Sequence, residues 1–219
     1  MHHIFDVDYT VIRNSTTWYF LLEAMGRGVI GFSQIRGLPF EYLRYKLGRA
    51  NQDFIEDAVK HIAGIEQSVL EDIAAVCFTR RLRANIYRGA ADLIKEIQNR
   101  GERVFFATSS FYTLIKPLEQ FLGIEESVAS TLEFAEGKTS GRLVGSSFFG
   151  AKKKGAVEAW LKERSICPGE VRFYSDSYTD LPLLEYCGQP VAVNPDRFLE
   201  REAKKRGWEI IRFKETLLS

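Results

Sequence analysis

The stretch His3-Ile4-Phe5-Asp6-Val7-Asp8-Tyr9-Thr10 decides how this chain is read. A short apolar run ends in carboxylates. That pattern predicts a buried strand that delivers polar groups at its C-terminal end. Asp6 and Asp8 stand two residues apart, so on a strand they share a face, and at a strand end a turn can separate them. Two carboxylates this close either share a cation or push their pKa values apart. In the second case one serves as an ionised nucleophile and the other as a protonated acid. Taken by itself, the string also fits a plainer arrangement in which Asp8 starts a turn and Thr10 bonds locally.

Outward from this stretch, residues 14 to about 83 carry helical patterning. Leu21, Leu22 and Met25 recur at helical spacing, as do Phe54, Ile55, Ala58, Val59 and Ile62. Residues 26–31 and 48–51 read as breaks, and no strand is expected here. After Gly89 the pattern alternates. A helix over Ala90, Leu93, Ile94 and Ile97 leads to a buried strand over 103–108, then a helix over 114–122. Residues 127–149, with Glu136-Gly137 and Ser140-Gly141, suggest a hairpin excursion. A helix over Val157, Trp160 and Leu161 follows, then strands at 171–174, 190–193 and 208–213 separated by helices at 180–186 and 196–206. Alternating strands and helices imply an α/β fold with a mostly parallel sheet covered on both faces. Ligands of such sheets bind outside the C-terminal strand ends, where a helical insert after the first strand would sit as a cap.

Bulk properties narrow the class. The 219 residues suit one domain, or one domain with an insert. With 45% hydrophobic and 27% charged residues, a disordered or collagen-like chain is excluded. Lys+Arg number 30 against 29 Asp+Glu, a net charge of +1 that gives no support for a nucleic-acid partner. The longest apolar run near the start, Trp18 to Leu22, is closed by Glu23, so no stable membrane insertion is expected. Asp6 and Asp8 do not read as part of a secretory leader. Cys77, Cys167 and Cys187 are few and widely spaced, which fits a reducing compartment, and no Cys/His cluster suggests zinc. A cytoplasmic location is expected. None of these features sets the oligomeric state.

The other strand ends add chemistry. Thr108, followed by Ser109 and Ser110, offers hydroxyls and backbone N–H groups for phosphate oxygens, or else a helix N-cap. Lys152, Lys153 and Lys154 form a run of the kind that is usually solvated. Lys153 shares the apolar stripe of Val157 and Trp160, and Lys154 aligns with Val157 and Leu161 almost as well. A lysine facing inward requires an anionic partner. Asp176 and Asp180 follow the 171–174 strand, and one of them could be a simple N-cap. Asp6, Asp8, Asp176 and Asp180 at one sheet edge would repel strongly. A hard divalent cation relieves this, and few carboxylates with several waters is the Mg²⁺ pattern.

These residues together resemble the haloacid dehalogenase (HAD) superfamily of phosphohydrolases, in its subfamily IB, phosphoserine-phosphatase-like group. Phe5 to Thr10 is similar to that family's motif I, Thr108 to motif II, Lys153 to motif III and Asp176 with Asp180 to motif IV. Tyr174 to Glu185, Val191 to Asp196 and Gly207-Trp208 resemble one IB branch. The resemblance implies a Rossmann-like core, residues 1–13 and 84–219, with a C1-type helical cap, residues 14–83. It implies that Asp6 is phosphorylated in line, that Asp8 protonates the leaving oxygen and then activates water, and that Thr108, Ser109 and Lys153 hold the phosphoryl group. It further implies Mg²⁺ bound by Asp6, the Asp8 carbonyl and Asp176, with Asp180 in support. The substrate would be a phosphorylated small molecule. One position departs from the pattern. Ser15 stands where a phosphoserine phosphatase carries a cap glutamate for the substrate's amino group, and the nearest candidate replacement is Glu23. This tells against L-phosphoserine as substrate and leaves the chemistry untouched.

Residues 13–49 hold Arg13, Arg27, Arg36, Arg44, Lys46 and Arg49 against only Glu23 and Glu41, whereas residues 50–79 are acidic. Packing and solvated charge account for such a pattern. A sharper reading is an anionic or partly apolar substrate, or an anionic lipid surface, met by the basic half, with Arg80, Arg81 and Arg83 also near the cleft. Two other activities compete with hydrolysis: phosphotransfer to a second substrate, and a phospho-aspartate signalling domain. Asp8 argues against the latter, because a base two residues from the phosphorylated carboxylate promotes hydrolysis.

Overall fold

The computed structural model describes residues 1–31, 54–148 and 150–218, apart from the side chains of Phe54 and Ala58. Strand β1 (His2–Phe5) lies at the centre of a six-stranded sheet. On one side it pairs with β2 (Arg103–Phe111), which pairs in turn with β3 (Ser127–Ser130). On the other side lie β6 (Val171–Ser175), β7 (Gln189–Val193) and β8 (Glu209–Ile211). All five pairings are parallel. The chain therefore steps outward from β1 in one direction, then returns to β1's other flank to step outward again. That reversal is where open α/β sheets place their ligands.

Side chains alternate along the strands, so each strand feeds two cores. Phe5, Phe106, Tyr174 and Val191 pack on one face, and Ile4, Phe105, Phe173 and Ala192 on the other. The first face is covered by α4 (Arg88–Asn99) and α5 (Tyr112–Leu122). The second is covered by α6 (Ala151–Glu163), α7 (Leu181–Tyr186) and α8 (Arg197–Arg206). Cys77 and Cys187 are buried core thiols, whereas Cys167 is exposed.

Between β1 and β2 the described residues are helical: α1 (Thr16–Gly26), α2 (Phe54–Lys60) and α3 (Gln67–Cys77), followed by a π-helical turn, Phe78–Leu82. Phe20, Ala24, Leu70 and Ile73 from this segment are buried in the same cluster as Leu114, Ile115 and Leu118 of α5. The helical segment thus packs on the sheet's own helices through continuous apolar contact. The excursion after β3 is the hairpin β4 (Leu132–Ala135) and β5 (Lys138–Leu143), turned by Glu136 and Gly137, both at positive φ (52° and 78°). Two successive positive φ values match the twist a tight hairpin needs. The hairpin docks on the chain before α3, where Gly64 N–H donates to the Thr139 carbonyl (2.8 Å) and Thr139 N–H to the Ile65 carbonyl (2.9 Å).

Three expectations shift. β2 runs through Phe111 instead of stopping at Thr108, so Ser109 and Ser110 are strand residues. Residues 127–130 join the main sheet, and only 132–143 form the hairpin. The last strand is shorter than 208–213. The break expected at 48–51, together with Arg36, Glu41, Tyr42, Arg44, Tyr45, Lys46, Arg49 and Asp53, lies outside the described residues. Among the described residues no helix is long and apolar enough to cross a membrane.

Candidate active site

β1 ends between β2 and β6, and its ladder continues one residue further, with Asp6 N–H donating to the Tyr174 carbonyl (2.9 Å). The chain then folds back: the N–H groups of Val11 and Ile12 both donate to the Val7 carbonyl (2.9 and 3.0 Å). Tyr9 makes that turn with φ at 60°, a left-handed conformation that costs a bulky residue free energy and persists only where its surroundings impose it. The turn sends Asp6 and Asp8 into different surroundings.

Asp6 is 6% exposed and faces Lys153, whose Nζ donates to Asp6 Oδ1 at 3.0 Å. The same ammonium donates to Asp180 Oδ2 at 2.8 Å, and Asp180 Oδ2 also accepts from the Ser175 hydroxyl (2.7 Å). Lys153, 4% exposed, is the buried member of its run. Lys152 pairs instead with Glu56 (3.3 Å), and Lys154 with Glu158 and the Tyr186 ring. A buried lysine is expected to lose its proton, but Asp180 and Asp6 outweigh that burial and hold the Lys153 pKa above its ordinary value. Burial pushes Asp6 up to about 7 against the pull of Lys153, with Asp180 and Asp8 pushing the same way.

Asp8 has no cation beside it among the causes that set its pKa. Its Oδ1 accepts the Thr16 N–H (2.9 Å) at the start of α1, and its Oδ2 accepts the Ser110 hydroxyl (3.4 Å). The Ser15, Thr16 and Ser110 hydroxyls pull its pKa down. Burial dominates these donors and raises the Asp8 pKa. Thr108 is buried at the end of β2's apolar run, its hydroxyl accepting the Ser110 N–H (3.1 Å), while Ser109 next to it is half-buried.

Asp176 follows β6. The Thr10 hydroxyl lies 3.4 Å from its Oδ1. Burial first, then the charges of Asp6 and Asp180, raise its pKa well above its ordinary value. Lys153 gives its hydrogen bonds to Asp6 and Asp180, and Asp6 and Asp180 both repel the Asp176 charge, so the pull of Lys153 on Asp176 is outweighed. A small divalent cation fits this surplus of anionic oxygen. Among the described residues no three His, Cys, Asp or Glu side chains converge as a closed cage. Mg²⁺ needs none, since it commonly takes one or two carboxylates and keeps its waters.

The structure therefore brings Asp6, Asp8, Thr108, Lys153, Asp176 and Asp180 to one sheet edge. Reasoning from sequence missed Thr16, named Ser110 only beside Thr108 as a group for phosphate oxygens and not as a partner of Asp8, and gave Ser15 a different place. Ser15 is the N-cap of α1, accepting the Trp18 N–H (3.3 Å), as a serine ahead of an apolar helical run signals. Nothing local marks Ser110 as a partner of Asp8. Glu23 is buried beneath the arginines Arg27, Arg80 and Arg81 (3.5, 3.3 and 3.6 Å). Of the three arginines expected near the cleft, Arg80 and Arg81 face Glu23 and Arg83 lies over the Phe121 ring.

Residues 4–185 match the family model of the haloacid dehalogenase-like hydrolases, and the chain belongs to that family. It is 28% identical over 215 residues to a Mycobacterium tuberculosis protein named phosphoserine phosphatase, covering 96% of this chain and 70% of that one. It is also 28% identical over 217 residues to a histidinol-phosphatase of Neisseria meningitidis, covering 96% and 98%. A solved structure from Bordetella pertussis superposes with a TM-score of 0.84 at 25% identity, covering 95% of this chain and 96% of that one.

Proposed function

We propose that this enzyme hydrolyses the phosphate monoester of a small molecule by passing the phosphoryl group through Asp6. The observation that carries the reading is the contrast between two carboxylates at one strand end, Asp6 on an ammonium at 3.0 Å and Asp8 on neutral donors. Asp6 attacks phosphorus. A bond forms from its carboxylate oxygen as the bond to the leaving oxygen breaks, and Asp8 gives that oxygen its proton. Water then attacks the phosphoaspartate, Asp8 takes the water's proton, and inorganic phosphate leaves with Asp6 restored. Thr108, Ser109 and Lys153 hold the phosphoryl oxygens, and Asp180 fixes Lys153.

Asp6 and Asp176, with the Asp8 carbonyl and the support of Asp180, would hold Mg²⁺. When bound, that ion would offset the charge between the nucleophile and the phosphoryl oxygens. Residues 14–83 act as the cap over this edge, excluding bulk water during transfer. The two named relatives act, by their names, on phosphoserine and histidinol phosphate. In this chain Ser15 is neutral and Glu23 lies under three arginines, so neither offers a free carboxylate to a substrate ammonium, and L-phosphoserine fits poorly.

The test is phosphate release from p-nitrophenyl phosphate with Mg²⁺, comparing the native enzyme with Asp6→Asn. A fall of at least ~10⁴-fold is expected for loss of a nucleophile. Equal rates would remove the assignment. A panel including L-phosphoserine and L-histidinol phosphate then ranks substrates by kcat/KM.

A further inference from the structure

The proposed acid is assembled from three separate pieces of chain, and its supports are a main-chain N–H and hydroxyls that the reaction itself does not use. Thr16 opens α1, and Ser110 lies on β2, 94 residues away. Both are buried, Thr16 at 0% and Ser110 at 3% exposure, and their hydroxyls are 2.7 Å apart. From this pair come the 2.9 Å bond of the Thr16 N–H and the 3.4 Å contact of the Ser110 hydroxyl, one to each oxygen of Asp8. A buried pair of hydroxyls has few other acceptors, so each fixes the other's direction. Ser110 also gives its backbone N–H to the Thr108 hydroxyl (3.1 Å). One residue thereby holds both the proposed acid, through its side chain, and the proposed phosphate-binding hydroxyl, through its main chain.

We infer that Thr16 and Ser110 are positioning residues that aim the Asp8 carboxyl at the leaving oxygen, so that docking of α1 against β2 completes the acid. This rests on the phosphatase reading above. The supports touch Asp8 and not Asp6, so their loss should slow departure of basic leaving groups far more than attack on phosphorus.

Aryl phosphates separate these effects. The p-nitrophenolate ion leaves without a proton, whereas phenolate, with a conjugate acid like that of tyrosine (pKa about 10), benefits from one. The value of kcat/KM covers steps up to departure of the leaving group and so excludes the water step in which Asp8 acts as base. In Ser110→Ala, kcat/KM for phenyl phosphate is expected to fall at least ~10-fold further than for p-nitrophenyl phosphate, as loss of a hydrogen bond to a charged group implies, and Thr16→Val, which keeps its N–H on Asp8 but removes the 2.7 Å partner of the Ser110 hydroxyl, is expected to shift the ratio the same way. Thr16→Ser, which keeps the hydroxyl, is expected to restore the native ratio. Ser110→Ala keeps the N–H on Thr108, so it tests the acid without disturbing that hydroxyl's main-chain support. Equal falls on both esters, as from misfolding or loss of active protein, would overturn the inference, and so would unchanged ratios. If native activity is abolished by Asp6→Asn yet the ratios do not move, the positioning role alone fails. If the native enzyme cleaves neither ester, the phosphatase reading fails and takes this inference with it.

Discussion

Asp6 and Asp8 are the same residue type, two positions apart, and the chain treats them in opposite ways. Asp6 sits among charges: Lys153 at 3.0 Å, with Asp180 on the far side of that lysine and Asp176 nearby. Asp8 sits among a main-chain N–H and hydroxyls. Burial raises both pKa values, but among the described residues it is Asp6 that has an ammonium at 3.0 Å favouring its negative form. Role follows surroundings. In the proposed reaction the cation beside Asp6 favours the anion that attacks, while neutral donors in a buried setting leave Asp8 able to carry a proton.

The sharpest way to break this contrast is Lys153→Met. It leaves Asp6 and Asp180 buried without their ammonium, and breaking a buried pair from one side costs about 3–5 kcal/mol. Denaturant unfolding should show a loss of that size, and a loss below about 1 kcal/mol would mean that the charges on the Asp6 side are not coupled through this lysine.

A smaller effect concerns pH and metal. The Asp6 pKa rises from 3.8 to about 7 on folding. Between those values the native chain binds more protons than the unfolded one. In chelator, this group's contribution to stability is therefore full below about pH 4 and lost as pH rises through about 7. Mg²⁺ bound to the ionised carboxylates would restore about 2.7 kcal/mol at one hundred times its Kd. Melts should show a larger Mg²⁺-induced rise in Tm near pH 8 than near pH 5.5. No rise at either pH would sink the proposed cation site.

The smallest effect belongs to Asp8→Asn. An amide among neutral donors keeps most of the bonding and removes a buried charge, so stability should stay within about 1 kcal/mol of native. On phenyl phosphate, meanwhile, kcat/KM should fall about 10²–10⁴-fold. A stability loss as large as that of Lys153→Met would erase the distinction between the two carboxylates.

Much of this was legible in the residues. Apolar runs such as Val104 to Ala107 mark buried parallel strands because both of their faces are covered, and the carboxylates at the ends of β1 and β6 mark the working edge. Lys153 could be favoured over Lys154 by helical spacing, yet only the positions of Asp6 and Asp180 decide between them. The supports of Asp8 were beyond reach for a different reason. The Ser110 contact spans 102 residues, and a serine on a strand end has no periodic signature. Glu23 misled because its burial by arginines of a later turn leaves no trace in the local pattern. The overrun of β2 past Thr108 follows from a register shift against β3, which depends on the neighbour and not on the strand's own composition.

The central place of β1 bears on synthesis. The partners of this strand end are made long after it: Lys153 lies 147 residues beyond Asp6, and the Asp176 that Thr10 faces lies 166 beyond Thr10. Until β6 has emerged and docked, the first strand lacks one whole flank, and an early fragment carries acidic side chains with no ammonium to balance them. The nascent polypeptide thus completes this sheet edge only after β6 has been made.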